Sequence, residues 1–138
     1  YLDIPMARVI NRSGADATAN YTLNDVSLAD VDGDGVSEFI VKRNSNTARD
    51  YATNKTDFHR LECYNIKGKR LWYIDLGPNM ISGPDEQYDI VGYDWDEDGK
   101  AEVLLRGADN MIIHKADGTT VEIGNMNYDS RNTLNLLP

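Results

Sequence analysis

The sequence predicts an all-β fold, with two four-stranded antiparallel sheets of the kind that form the blades of β-propellers. Short runs of strand-forming residues are separated by Gly, Asn and Asp clusters, and helical periodicity is nearly absent. The order of these runs occurs twice along the chain, as in repeat proteins. In each copy an acidic, glycine-containing loop separates the first two runs. Because a propeller needs about four to eight blades, two blades indicate part of a larger propeller.

The composition is that of a folded domain. The chain has 138 residues, of which 41% are hydrophobic and 27% charged, which is enough for one domain with a core. No apolar run approaches the roughly 18 residues needed to span a membrane. A net charge of −9 without basic patches argues against nucleic acid and anionic membranes as partners. Cys63 is the only cysteine, so we expect a buried free thiol and no internal disulfide.

The first repeat is predicted to span residues 25–76. Its four strands are "DVSLA", "EFIVKR", "FHRLECYNI" and "RLWYIDL", at residues 25–29, 38–43, 58–66 and 70–76. A polar insert without predicted structure occupies residues 44–57. The glycine of "KGK", at residues 67–69, favours a tight turn between the last two strands. A loop with two Gly-Pro steps, at residues 77–86, ends the repeat.

The second repeat is predicted to span residues 87–123 and to follow the same order. Its strands are "QYDIVGY", "EVLLR", "MIIHK" and "TTVEI", at residues 87–93, 102–106, 111–115 and 119–123. The turn "ADG" takes the place of "KGK". Each repeat is therefore predicted to be a four-stranded antiparallel meander, and the tail after residue 123 has no such pattern.

The two acidic loops share the spacing D-x-D-x-D-G-x-x-E. Carboxylates crowded around an empty point repel one another, whereas around a hard divalent cation they become ligands. Glycines at Gly35 and Gly99 permit the tight turn that this arrangement needs. The predicted ligands are the carboxylates of Asp30, Asp32, Asp34 and Glu38 with the carbonyl of Val36, and the carboxylates of Asp94, Asp96, Asp98 and Glu102 with the carbonyl of Lys100.

The predicted cofactor is calcium, with one ion in each loop. Calcium accepts six to eight oxygen ligands, whereas magnesium takes fewer protein ligands, and zinc would need His or Cys nearby. An EF-hand would place its Glu at loop position 12 between helices, whereas here the Glu comes earlier and a strand follows. One such loop alone would fit a solvated turn without metal, but the repeated spacing favours calcium that stabilises two hairpins. Weak calcium sites fill where the ion is abundant, so we expect a secreted, periplasmic or extracellular protein.

Three segments carry a resemblance to a known family: "NDVSLADVDGDGVSEFIVKR", "YNIKGKRLWYIDLG" and "YDWDEDGKAEVLLRGAD". They resemble the amino-terminal part of the propeller of rhamnogalacturonan lyases, polysaccharide lyase family eleven, over about residues 21–132. The resemblance implies an eight-bladed, calcium-binding β-propeller that cleaves the rhamnogalacturonan backbone of pectin by β-elimination. Residues 1–138 would then be a partial propeller, with pectic polysaccharide and the remaining blades of the parent chain as partners.

The resemblance also implies two substrate-binding positions. Asn24 matches a family Asn that lines the active cleft, and Asn44 stands where the family has Asp. An amide binds sugar hydroxyls but is not a base at neutral pH. Residues 84–89, "PDEQYD", replace a short His-and-aromatic segment of the family. The catalytic base is therefore unassigned, and we expect the isolated chain to be inactive.

Two alternatives to the lyase reading stay open at this point. The first is a non-catalytic, calcium-dependent propeller segment that binds glycan or protein. The second is a calcium-stabilised β-protein that oligomerises to cover its exposed sheet edges.

Overall fold

The computed structural model describes residues 1–81 and 89–134, and these residues form the all-β structure that the sequence predicts. A three-residue 3₁₀-helix (Thr18–Asn20) precedes the strands, and a four-residue helix α1 (Arg131–Leu134) follows them. In the described ranges no helix is long and apolar enough to cross a membrane. The strands are β1 (Tyr21–Ala29), β2 (Glu38–Ser45), β3 (Arg60–Tyr64), β4 (Arg70–Asp75), β5 (Val91–Tyr93), β6 (Glu102–Leu104), β7 (Met111–His114) and β8 (Thr120–Ile123).

The first repeat forms the predicted antiparallel meander. Strands β1 to β4 pair in chain order, with Val26 opposite Val41 and Leu61 opposite Ile74. The β-branched and aromatic residues of these strands suit a pleated, buried surface. Strand β1 begins at Tyr21, earlier than predicted, and its pairing with β2 is interrupted by an irregularity between Leu23 and Val26.

The second repeat does not form a four-stranded sheet of its own, and that prediction is wrong for the described residues. Among the described strands, β5 and β6 pair only with each other, whereas β7 and β8 extend the first sheet in the order β1-β2-β3-β4-β7-β8. Without β7, strand β4 would be an edge with unpaired N–H and C=O groups, and β7 satisfies them. The start of the predicted strand at residues 87–93 lies outside the described residues.

One face of the six-stranded sheet carries the apolar core. Ile40, Leu61 and Cys63 are each 0% exposed, and they form one cluster with residues of β4 and β7. The β5–β6 hairpin packs onto this cluster through side chains such as Val103. Cys63 is a free, buried thiol as predicted, and burial raises its pKa to about 12.

The opposite face of the sheet is charged, and the segment before the 3₁₀-helix covers it. The carboxylate of Glu62 is completely buried, where it pairs with Arg43 at 3.1 Å and with Arg70 at 3.6 Å. The Tyr64 hydroxyl donates a further hydrogen bond to Glu62 and accepts one from the Ala7 amide at 3.0 Å. Strands β2 and β3 are therefore buried on both faces, which was not predicted from the sequence.

The insert at residues 44–57, predicted to lack structure, begins as strand because β2 continues to Ser45, and the rest forms turns and bends that the buried side chain of Asn54 helps to hold. The side-chain amide nitrogen of Asn54 donates to the backbone carbonyls of Thr47 at 2.8 Å and Asp57 at 2.6 Å. Its side-chain oxygen accepts from the Asp57 amide at 2.7 Å. These bonds satisfy backbone groups that regular secondary structure would otherwise have to satisfy.

Gly92 in β5 sets how closely the β5–β6 hairpin approaches the main sheet. A methyl group added at Gly92 would overlap the side chain of Ala29, whereas one added at Gly107 would meet no atom of the described residues within 4 Å. We expect Gly92→Ala to lower the free energy of unfolding by about 1–3 kcal/mol through overpacking. The matched variant Gly107→Ala should unfold close to the wild type in urea. Equal urea midpoints for the two variants would contradict this packing.

The Glu62 carboxylate balances two arginines in the interior. We expect Glu62→Gln to destabilise the fold by about 3–5 kcal/mol, because it leaves buried cations without a counter-charge. Asp25→Asn is the control, since Asp25 pairs with Lys42 at 3.5 Å while its own side chain is 75% exposed. Lys42 is 10% exposed, but water screens the exposed Asp25 carboxylate, so this pair should contribute less than about 1 kcal/mol. Urea unfolding measures both variants. Equal losses in the free energy of unfolding would show that the buried Glu62 ion pairs stabilise the fold no more than the Asp25 pair does.

Candidate metal-binding loops

The first acidic loop joins β1 to β2 and gathers three of its carboxylates. Oxygens of Asp30, Asp32 and Glu38 lie within 4.8 Å of one another. Asp30 directly follows β1 and Glu38 opens β2, where it pairs with Ala29. The antiparallel pairing of the hairpin therefore brings the two ends of the loop together.

Backbone amides of the loop hold these carboxylates in place. The Asp30 carboxylate accepts from the amides of Gly33 and Gly35, each at 2.8 Å. The Glu38 carboxylate accepts from the Val31 amide at 2.8 Å. Gly33 and Gly35 both have positive φ, at 79° and 86°, a conformation that glycine adopts without strain.

The second acidic loop joins β5 to β6 and repeats this geometry at the corresponding positions. The Gly99 amide donates to Asp94 at 2.8 Å, and the Trp95 amide donates to Glu102 at 2.9 Å. Glu97 has a φ of 61° where the first loop has a glycine. Four carboxylates have oxygens within 4.8 Å of one another: Asp94, Asp96, Asp98 and Glu102. The repeated sequence spacing is therefore also a repeated arrangement of side chains.

The two loops differ in one predicted ligand. The Asp34 carboxylate is outside the first cluster and accepts from the Val36 amide at 2.8 Å. Asp98 makes the equivalent bond to the Lys100 amide at 2.8 Å and still lies within the second cluster. Coordination by Asp34 and by the carbonyls of Val36 and Lys100 stays a prediction.

The donor set of both clusters suits a hard cation. Every grouped atom is a carboxylate oxygen, which favours calcium or magnesium over zinc. Burial raises the pKa of the Glu38 carboxyl, and the charges of Asp32, Asp34 and Asp30 raise it further, against the hydrogen bond from Val31. A cation at this position would favour the charged form of Glu38, so the residues fit a calcium ion.

The two acidic loops also contact each other, although they are far apart in the sequence. The Ala101 amide donates to the Asp30 carbonyl at 2.7 Å. A methyl group added at Gly33 would lie 3.0 Å from both the Gly99 carbonyl oxygen and the Lys100 side chain. The absence of a side chain at Gly33 therefore lets the loops lie together.

The two predicted substrate-binding residues lie on neighbouring strands. Asn24 sits in the irregular part of β1, where its side-chain oxygen accepts from the Asp25 amide at 2.7 Å. Asn44 lies in β2 opposite Thr22 and is 3% exposed. The sequence change predicted to matter at residues 84–89 lies outside the described residues, apart from Asp89. Sugar binding by Asn24 and Asn44 stays a prediction.

An apolar cavity lies beside the acidic loops and was not predicted. Its volume is about 590 Å³. It opens between β4, β7 and the β5–β6 hairpin, and its lining includes Val31, Leu71, Trp72, Val103, Leu105 and Ile113. Val103 and Leu105 alternate with the exposed Glu102 and Leu104, and this period of two could have indicated that one side of the hairpin packs inward.

Comparison with known proteins identifies relatives that act on one polysaccharide. The family described as "Rhamnogalacturonan lyase family 11, C-terminal domain" matches residues 1–136. The chain is 41% identical over 113 residues to rhamnogalacturonan endolyase YesW of Bacillus subtilis strain 168, covering 81% of the chain and 17% of that protein. It is 35% identical over 133 residues to rhamnogalacturonan exolyase YesX of the same organism, covering 95% of the chain and 21% of the relative.

Solved structures of the same family share the fold. The Bacillus licheniformis rhamnogalacturonan lyase PL11 superposes with a TM-score of 0.68 and 32% identity, over 91% of this chain and 21% of that one. The crystal structure of the exotype rhamnogalacturonan lyase YesX superposes with a TM-score of 0.69 and 32% sequence identity. The match covers 93% of this chain and 21% of that one. The chain thus spans about a fifth of the length of these relatives. The family match over residues 1–136 and these identities show that the chain belongs to rhamnogalacturonan lyase family 11.

Proposed function

We propose that this chain is a calcium-stabilised part of a secreted lyase that cleaves the rhamnogalacturonan backbone of pectin by β-elimination. The family match over residues 1–136 is the observation that carries the proposal. Relatives named as an endolyase and an exolyase of this polysaccharide support the substrate class. The proposal places the protein outside the cytoplasm, where calcium is abundant.

Calcium in the two acidic loops would supply positive charge that offsets crowded carboxylates. Asp30, Asp32 and Glu38 would hold one ion, and the Asp94 cluster would hold the other. Because each loop closes a hairpin, ligands at its two ends would tie β1 to β2 and β5 to β6. The role proposed for calcium is therefore structural rather than catalytic.

In β-elimination a base removes the proton beside the uronate carboxylate and the 4-linked sugar leaves. Asn24 on β1 and Asn44 on β2 are proposed to hydrogen-bond sugar hydroxyls. An amide at Asn44 cannot accept that proton at neutral pH. Asn44 is therefore not that base, and we propose that other parts of the parent lyase supply it while this chain contributes binding groups and scaffold.

Exposed apolar side chains support packing against further sheets of the parent chain. Leu23, Val26 and Leu28 are 51–59% exposed along β1, which among the described strands has only β2 as a neighbour. Tyr93 and Leu104 of the β5–β6 hairpin are more than 60% exposed. Such rows, with the apolar cavity of about 590 Å³, are typical of surfaces that pack against another layer. Further propeller blades are the proposed partner.

The second candidate is a calcium-dependent segment that binds glycan without chemistry. Asn44 favours it, since the resembling family has Asp at this position. The activity of the parent protein distinguishes the two proposals, because only a lyase releases unsaturated products.

Calcium binding is tested with the matched variants Asp96→Asn and Asp117→Asn. We expect calcium to raise the melting temperature of the wild type and chelator to lower it. A free calcium concentration of about 100 times the Kd of one site stabilises the fold by about 2.7 kcal/mol. Asp96→Asn should lose one equivalent in calorimetric titration, together with terbium luminescence sensitised by Trp95. Asp117→Asn removes a carboxylate that caps only a Thr119 turn, so it should keep both sites.

The calcium proposal fails under either of two results. One is a melting curve that chelator leaves unmoved. The other is terbium luminescence that is equal in wild type and Asp96→Asn.

Lyase activity is tested on purified rhamnogalacturonan by ultraviolet absorbance of the unsaturated product. We expect none from the 138-residue chain, because Asn44 supplies no base, while a full-length family 11 lyase serves as the positive control. The chain should nevertheless bind rhamnogalacturonan oligosaccharides in calorimetry. Product release by the chain alone would overturn the assignment of the base to other parts of the lyase.

A further inference from the structure

A second cavity lies on the charged face of the sheet, away from both acidic loops. Its volume is about 300 Å³, at the lower end of the range for ligand pockets. It lies between the segment before the 3₁₀-helix and strands β3, β4 and β7. Its lining includes Ile10, Arg12, Arg60, Tyr73, Asp75 and His114.

Arg60 brings an uncompensated positive charge to this cavity. The residue is 2% exposed, and its guanidinium donates to the carbonyl of Ile10. Its Nε has no hydrogen-bond partner within the described part of the chain. Among residues 1–81 and 89–134 no carboxylate lies within salt-bridge distance of it. Because a buried ion without a counter-ion is unfavourable by several kcal/mol, this site favours an anion.

Asp75 does not supply that counter-charge, although it lies opposite Arg60 in the sheet. Arg12 binds it through two parallel bonds, Nε to Oδ2 and Nη2 to Oδ1, each 3.0 Å long. Asp75 also accepts from the Gly77 amide at 2.9 Å. Such a bidentate pair is a closed unit, so the charge on Arg60 is the excess one.

The wall beside Arg60 is flat and partly polar. The rings of Tyr73 and His114 stack with their centroids 4.1 Å apart and 8° between their planes. The Arg60 guanidinium lies 4.6 Å from the Tyr73 centroid. Burial lowers the pKa of His114, and the charges of Arg60, Arg70 and Arg12 lower it further, against the opposing effect of Asp75. At neutral pH the imidazole is therefore neutral and can bond a hydroxyl as donor or acceptor.

We propose that this cavity binds a carboxylate-bearing sugar, a uronate, with its carboxylate on Arg60 and a hydroxyl on His114. Anion binding follows from the cavity alone, whereas the choice of a sugar acid rests on the proposed function. The site would hold a uronate unit of the polysaccharide on the face of the sheet opposite the apolar core.

The test is a titration of the 138-residue chain with D-galacturonate, followed by NMR of the arginine Nε–H and histidine ring signals. D-galactose and acetate are the matched ligands, because one lacks the carboxylate and the other lacks the sugar ring. We expect galacturonate to shift the signals of Arg60 and His114 and to bind more tightly than either control. No shift at these residues, or equal affinity for galactose or acetate, would overturn the proposal.

Variants separate the two contacts. Arg60→Gln should weaken galacturonate binding about tenfold or more, as expected for loss of a charge-assisted hydrogen bond. Arg70→Gln is its control, because Arg70 also lies over the Tyr73 ring, at 4.4 Å, but does not line the cavity. His114→Gln, at a partly exposed position, should weaken galacturonate severalfold and leave acetate unchanged. Equal binding by wild type and His114→Gln would overturn the site even if Arg60→Gln does not fold.

The outcome does not depend on lyase activity. Galacturonate contains no glycosidic bond for a lyase to break, so its binding and the release of unsaturated product are separate measurements. If the chain binds galacturonate but the parent protein has no lyase activity, the proposed uronate site stands and the proposed function fails.

Discussion

The pairing of β4 with β7 is the constraint from which the rest of the structure follows. It joins the two repeats in one sheet, with Ile74 opposite Ile113 on the core face and Tyr73 opposite His114 on the charged face. The β5–β6 hairpin, left out of that sheet, covers the core instead and packs against β1 at Gly92. One set of backbone hydrogen bonds therefore determines the core, the neighbouring positions of the acidic loops and the polar cavity.

The charges of the buried face are compensated to different degrees. Glu62 is shared between Arg43 and Arg70, and the carboxylate of Asp75 is held by Arg12. Arg60 contacts a carbonyl and lies near the rings of Tyr21 and Tyr73, but no carboxylate of the described residues is within salt-bridge distance of it. Interior charges are tolerated when they are paired, so the ion pairs of Glu62 and Asp75 explain how a charged face is buried. Arg60 marks the position where a ligand would complete the pairing. Membership of a family of polysaccharide lyases makes a uronate the natural ligand to consider.

The acidic loops are local devices on a non-local scaffold. Within each loop the carboxylates already hold backbone amides, so their arrangement follows from a few consecutive residues. The contact of Ala101 with Asp30 between the loops requires the tertiary fold. This difference explains why the carboxylate clusters of both loops were predictable by residue, apart from Asp34, while their proximity was not.

The sequence by itself determined the all-β class, the approximate strands, the meander of the first repeat and the two carboxylate clusters. Each depends on spacing within a short segment, where alternation, glycine turns and like charges act between near neighbours. Only the tertiary structure decided that β7 pairs with β4, that the first residues cover a charged face, and that Arg60 and His114 share a cavity. These contacts join residues distant along the chain, and many alternative pairings have similar local preferences. Long-range burial and the need to satisfy the edge of β4 select among them.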